Sequence, residues 1–492
     1  MRTWQTRRLL ARAWQALLGL DVPEAERLTA RLERSQAATV TDADVWDCAT
    51  LVLRAALLAL QDDSPGALSH ARRALQLCTD MECRGLATLI CRWAHWRTGE
   101  LSEFHGTGRA LWRTGLRPCR TITAIFDLNL EAAVEFGRLR LAVSRRLAAE
   151  ALERSRAMAC SESPAGLLST ALLAQVAYEQ GQLEEAELVI RYRMRVIRTA
   201  ATIECVARAY ILLARLAVQR RRPDQALSLL RDAQGLGERR QWPRLIATTL
   251  AERIRILLDD NEEGAALSSL RELEALPRSQ PATRASLQAD IELDCRLAQL
   301  RFERCPPARI ATVVESLRQN ALARSDLRLA LEIHLISVTA YARSGEMLEA
   351  QERLIDALDI GAANGLCMTF VDAGALVHQL LESLCHDTSI ADERVLELRP
   401  YIHTLLARYP GAPCAANDAR QPPGGIRQPL TPREGNVLRL IAGGLSNKRI
   451  AQRLDITPET VKSHTKSIFA KLAAQTRAQA VAHGEALGLI QG

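Results

Sequence analysis

Lysine is almost absent from this chain, and the few that occur are grouped. Of its 64 basic side chains in 492 residues, only four are lysines, namely Lys448, Lys462, Lys466 and Lys471. Lys462 and Lys466 stand four positions apart. On a helix they share one face, where like charges repel unless a polyanion lies beside them. Ser463 and Ser467 accompany them. Ammonium and hydroxyl groups at this spacing contact phosphates and base edges, so the chemistry indicated is nucleic-acid binding. From Leu430 to Gly492 nine basic residues face four acidic ones, a net +5 out of +7 for the whole chain. A basic tail on a nearly neutral body predicts an anionic partner for the tail.

The same composition excludes other chemistry. With no lysine in the first 447 residues there is no Walker-A loop and no Schiff-base lysine in that stretch. The twelve cysteines form no CxxC pair. The closest three, Cys78, Cys83 and Cys91, read as buried thiols rather than metal ligands. No hydrolase triad, HExxH or nucleotide motif is present, so no enzyme activity, cofactor or metal is expected. No apolar run is long enough to span a membrane and no secretory signal pattern occurs, which predicts a cytoplasmic protein without a membrane partner. The basic, amphipathic N-terminus reads as a first structural helix.

The tail divides into helices that position these residues. Thr431 is an N-cap, with Pro432 at N1 and Glu434 at N3, a capping box. Val437, Leu438 and Ile441 form the buried stripe of this helix, and Gly443-Gly444 ends it. Ser446 caps a second helix with Ile450, Ala451 and Leu454 inside. Thr457, Pro458 and Thr460 start a third, whose inner face is Val461, Thr465, Ile468 and Leu472. A fourth follows Thr476, through Ala480, Val481 and Leu487. A short helix, a tight turn and a longer helix make a helix-turn-helix, whose second helix enters the major groove. Its outward face carries Lys462, Ser463, Lys466 and Ser467, with Lys471 near its end. Thr457, Thr460, Ser446 and Asn447 stand at helix N-termini, where free N–H groups suit a phosphate.

Upstream, residues 20–350 repeat a theme: a helix, a short Gly, Pro or Asp/Asn turn, and a new helix opening with a small or apolar residue. Gly181 to Ala186 and Gly345 to Ala350 show it most clearly. The marker falls at Ala25, Ala67, Phe104, Ala142, Ala186, Ala226, Ala266, Ala308 and Ala350, an even spacing of the length that two helices and their turns need. That is a two-helix repeat, and stacked repeats make an extended superhelix with a concave surface. Trp93, Trp96 and Trp112 read as core, and the arginine runs 191–198, 220–222 and 239–240 as solvated helix faces. Residues 408–429 hold five prolines and three glycines and read as a linker. The expected organisation is all-α: a TPR-like helical-repeat body over 1–407, the linker, and a four-helix DNA-binding domain over 430–492.

The motifs LTPRE (430–434), GLSNKRIAQRL (444–454) and TVKSHTKSIFAKL (460–472) make the tail resemble the LuxR/GerE-type DNA-binding domain. The resemblance implies that Lys462, Ser463 and Lys466 face the groove. It also implies that Thr460, Asn447 and His464 lie near the DNA backbone or brace the helix. Gly435, Asn436, Arg449, Asp455 and Thr465 depart from the family pattern, and none of them removes a groove contact. More weakly, residues 365–384 (GLCMTFVDAGALVHQLLESL) are similar to the end of the repeat domain in MalT-like regulators. There an NTPase precedes an inducer-binding superhelix; the present chain reads as starting inside the superhelix, so ATP-gated oligomerisation is not supported. These resemblances imply a transcriptional regulator, by analogy an activator. Its partners would be double-stranded promoter DNA, RNA polymerase, a second copy on DNA and a small-molecule or protein effector on the repeats. The alternative is a TPR-like scaffold with a vestigial tail.

Overall fold

The computed structural model describes residues 2–19, 21–36, 43–107, 118–158, 160–276, 285–302, 307–386, 393–409, 431–442, 445, 447–454, 456–471 and 480. All regular structure among these residues is helical. Among them, nine helical hairpins follow one another, from Arg2–Leu18 with Val22–Gln36 to Leu327–Ser344 with Met347–Asn364. Helices Ala375–His386 and Glu393–Leu406 end the body. The N-terminal helix packs Ala13 and Leu17 against Ala25, Leu28, Leu53 and Leu57, as a structural element does.

The repeat register is set by one position, the fourth residue of each hairpin's second helix. It is Ala25, Ala67, Phe104, Ser144, Ala186, Ala226, Ala266, Ile310 and Ala350, all fully or almost fully buried. Seven are the markers expected from sequence. Ala142, by contrast, is exposed. Its expected place falls to Ser144, whose hydroxyl donates to the Ala132 carbonyl at 2.7 Å across the hairpin. Ile310, not Ala308, stands fourth in helix Pro307–Ala323. Five positions before the marker, seven of the hairpins place one left-handed residue: Asp62, Gly99, Leu139, Gly181, Arg221, Asn261 or Gly345. That conformation lets the next N–H groups close the preceding helix, as from Gly181 to Tyr178 and from Gln182 to Ala177. Gly181 has a further reason to be glycine, since a Cβ there would collide with the Arg408 guanidinium.

The superhelix is wound more tightly than the expected extended form, so hairpins far apart in sequence touch. Arg244 forks onto Asp62 at 2.7 and 2.9 Å and also reaches Glu204 at 2.8 Å. Arg97 pairs with Asp290, and Arg324 donates to the Arg97 carbonyl at 2.7 Å. The segment 366–373 enters the same interior. Glu179 accepts from the Thr369 N–H at 2.9 Å, and the Glu179 carbonyl accepts from the Cys367 N–H at 3.0 Å. Asp372, 7% exposed, accepts from the Tyr178 hydroxyl at 2.8 Å and pairs with Arg215 at 3.2 Å. Its carbonyl accepts from Arg255 at 3.1 Å. Arg215 and Arg255 in turn share Glu252. Arg408 and Tyr409, on the linker side of the compositional boundary, also pack on the body. Arg408 donates to the Gly181 carbonyl at 2.9 Å and Tyr409 to the Phe370 carbonyl at 2.8 Å.

The arginine runs lie mostly exposed, as expected, and some of their members are tied down. Arg191 and Arg220 both hold Glu187, and Arg240 donates to the carbonyls of Arg198 and Thr199. Trp93 and Trp96 pack beside the buried Leu89, Phe104 and Leu130; Trp112 lies outside the described residues. Among the described residues, no helix is long and apolar enough to cross a membrane.

Removing Asp372 tests how much the buried charges hold. Asp372→Ala strips a buried carboxylate from Tyr178 and Arg215, which costs about 3–5 kcal/mol; chemical denaturation of the full chain should show it. Asp294 carries a carboxyl pushed up to about 7, first by burial and then by the carboxylates of Asp290 and Glu332, with Arg244 opposing. Its folded pKa lies above the unfolded one, so the native state holds the proton more tightly and stability falls as pH rises from about 4 to 7. Asp294→Asn should therefore raise the melting temperature at pH 8 and leave it nearly unchanged at pH 4.

Candidate nucleic-acid interface

Three helices of the tail are described, Pro432–Ala442, Asn447–Leu454 and Pro458–Lys471. Their core is the expected one. Val437, Leu438, Ile441, Ile450, Ala451, Val461 and Ile468 are each at most 3% exposed, and Leu454 packs partly buried against them. Thr465, where an aliphatic residue is usual, turns its hydroxyl to the Val461 carbonyl at 2.8 Å and so is satisfied within the helix. Of the fourth helix only Ala480 is described, and it is buried in the same cluster. Ser446, Thr476 and Leu472 lie outside the described residues.

The two N-terminal caps that lie within the described residues, at Thr431 and Thr457, form. The Thr431 N–H donates to Glu434 at 2.6 Å and the Glu434 N–H to the Thr431 hydroxyl at 3.3 Å, completing the capping box. The Thr460 N–H donates to the Thr457 hydroxyl at 3.2 Å, and the two hydroxyls lie 2.8 Å apart. Thr457 is exposed, while Thr460, His464 and Asn447 are half-buried.

The helix Pro458–Lys471 sorts its polar residues onto two faces. Lys462, Ser463 and Lys466 are exposed together on the outer one. Lys462, its side chain 62% exposed, pairs with Glu459 at 2.6 Å, an exposed pair that a phosphate can displace at little cost. Ser467 and Lys471 point the other way. The Ser467 hydroxyl donates to Glu434 at 2.7 Å, and the Lys471 ammonium donates to both carboxylate oxygens at 2.7 and 3.0 Å. The Lys471 side chain is only 14% exposed. Glu434 thus caps the first helix and clamps the third. Burial disfavours its charge, but the hydrogen bonds from Lys471, Ser467 and Thr431 outweigh that and hold its carboxyl down at about 2. Nothing local in the sequence signals this clamp, because Lys471 lies 37 residues from Glu434.

The clamp has a pH signature. A depressed folded pKa gives stability that is full above the unfolded value near 4.5 and lost as pH falls toward 2. Circular dichroism melts of residues 425–492 should show that decline between about pH 5 and 2, and Glu434→Gln should lower the melting temperature at pH 7 while flattening it.

Comparison with known proteins matches both parts of the chain. Residues 49–387 match the family described as the MalT-like TPR region, and residues 428–483 match the bacterial regulatory proteins of the luxR family. Among curated proteins, the HTH-type transcriptional regulator MalT of Klebsiella pneumoniae subsp. pneumoniae is 28% identical over 336 residues, which is 65% of this chain and 36% of that protein. The MalT of Klebsiella pneumoniae strain 342 is 27% identical over the same shares. The chain therefore spans little more than a third of these relatives' length. Among solved structures, a Rap protein crystallised with competence and sporulation factor aligns at a TM-score of 0.45 and 13% identity, over 82% of this chain and 99% of that one. With a MalT-like TPR region over most of its length and a luxR-family domain after it, this chain belongs to the MalT-like LuxR-type regulators.

Proposed function

We propose that the protein is a DNA-binding transcriptional regulator whose helical-repeat body senses an effector or partner and whose tail recognises promoter DNA. The carrying observation is the exposed Lys462–Ser463–Lys466 face on a helix pinned from behind by Glu434. In this reading Lys462, Ser463 and Lys466 meet base edges and phosphates in the major groove. Thr457, Thr460, Asn447, Ser446 and His464 serve the DNA backbone or orient the helix. Ser467 and Lys471 act behind it, as positioning residues. Activation, contact with RNA polymerase and a homodimer on DNA belong to the same reading, by analogy with the family.

Phosphate contacts supply much of the affinity of such a domain and make it steeply salt-dependent. Lys462→Ala with Lys466→Ala should lower the affinity of the full chain for promoter fragments by about two orders of magnitude and reduce the salt slope by about one for each phosphate left unneutralised. The helical circular dichroism signal should persist. Binding that survives this double substitution would overturn the assignment and favour a scaffold with an inert tail.

A further inference from the structure

The interior of the repeat body holds a cleft lined by four arginines. It is narrow, with a volume of about 20 Å³ open to solvent, and Arg215, Arg255, Arg301, Arg328, Glu332 and Thr369 line it. Asp372 lines it as well. Two of the four guanidiniums are held by several acceptors. Arg215 spends its donors on Glu252 at 3.0 and 2.9 Å and on Asp372 at 3.2 Å. Arg255 spends its own on Glu252, on Asp259 and on the Asp372 carbonyl.

Arg301 and Arg328 are not saturated. Among the described residues their guanidiniums reach one carboxylate between them, Glu332, at 3.7 and 3.5 Å. The longer of these lies beyond hydrogen-bond reach, and neither guanidinium makes a hydrogen bond to a carboxylate in the described structure. Their side chains are only 16% and 26% exposed. Glu332 stays charged: burial opposes its ionisation, but Arg328, Arg215 and Arg301 together hold its carboxyl below the usual range. The four lining guanidiniums are matched in charge by Glu252, Asp259, Glu332 and Asp372, but among the described residues Arg301 and Arg328 keep N–H donors with no carboxylate in hydrogen-bond contact. Arg208 is pushed down to about 10, by burial and then by Arg328. Arg301 is lowered by burial, only partly offset by Glu332, with Arg255 adding repulsion and Asp259 and Glu252 opposing it.

A planar, forked guanidinium pair with spare donors fits a carboxylate or phosphate, and Thr369 stands beside it. We propose that this cleft binds the acidic head group of a small effector, a carboxylate or phosphate bridging Arg301 and Arg328. The inference rests on the reading of the repeat body as the sensing part and names the ligand class and the site. The cleft joins helices Ile203–Gln219, Pro243–Asp259, Ala285–Phe302 and Leu327–Ser344 to the turn at 369–373. A bound anion therefore ties four hairpins to the segment that leads toward the linker.

The test uses the full chain in thermal-shift titrations with inorganic phosphate, succinate and neutral glucose, each at ionic strength fixed with sodium chloride. Ligand that binds only the native state raises the melting temperature saturably. The expected result is a saturable rise with phosphate, succinate or both, none with glucose, and at least a tenfold weaker midpoint in Arg301→Gln and Arg328→Gln. Phosphate alone assigns a phosphorylated effector, succinate alone a carboxylic one. Glu332→Gln supplies a test of opposite sign: removing the competing carboxylate should tighten anion binding several-fold, which a merely structural role would not do. No rise beyond the chloride control, a rise with glucose alone, or a rise unchanged in both arginine variants and in Glu332→Gln would overturn the proposal. Promoter binding measured on the same samples keeps the readings apart, since a silent cleft with intact lysine-dependent DNA binding overturns this inference only.

Discussion

Asp372 ties the end of the repeat body to its middle hairpins. Its carboxylate takes the Tyr178 hydroxyl and the Arg215 guanidinium, and its carbonyl takes Arg255. Tyr178 stands at the end of the fifth hairpin's first helix, while Asp372 lies beyond the ninth hairpin. Burying these charges is expensive, and the geometry offsets the cost only because every partner is present at once. Arg215 and Arg255 share Glu252, so they form one connected set with Glu252 and Asp372. A hairpin stack held only by neighbour contacts would be a flexible spring. The Asp372 set, with the Asp62–Arg244 and Arg97–Asp290 bridges, fixes its winding.

The arginine-for-lysine composition acquires a structural sense in this setting. A guanidinium can fork across two hairpins and is more weakly hydrated than an ammonium, so it suits the half-buried junctions of the body. The bidentate Arg244–Asp62 contact uses that geometry directly. The tail follows another logic. There Glu434 takes Lys471 and Ser467 behind the third helix, and the ammonium groups of Lys462 and Lys466 are left on the outer face. One buried carboxylate thereby decides which polar residues of that helix brace it and which are offered to a partner.

The local grammar of the repeat is legible in the sequence because it is written in neighbouring residues. Turn, small residue and apolar spacing recur within one hairpin, and seven of nine marker positions fall where the spacing puts them. The two that shift do so for a readable reason. At the fourth hairpin a serine replaces alanine at the buried position because its hydroxyl bonds back to the Ala132 carbonyl, and at the eighth an isoleucine fills the place. The helix caps of the tail, the apolar faces of its three described helices and the outward lysine pair are likewise local.

What the sequence by itself determined is the pairing of helices into hairpins, the three described helices of the tail and the basic face at Lys462 and Lys466. These rest on contacts within a hairpin or between adjacent ones, where periodicity and turn chemistry act. The tertiary structure alone decided how tightly the hairpins wind, that residues 366–373 close the interior, that Glu434 withdraws Lys471 and Ser467 from the surface, and that Arg301 and Arg328 share a single carboxylate. Those outcomes depend on which charges meet across distant parts of the chain, and an arginine carries the same letter whether its guanidinium is saturated or left with donors to spare.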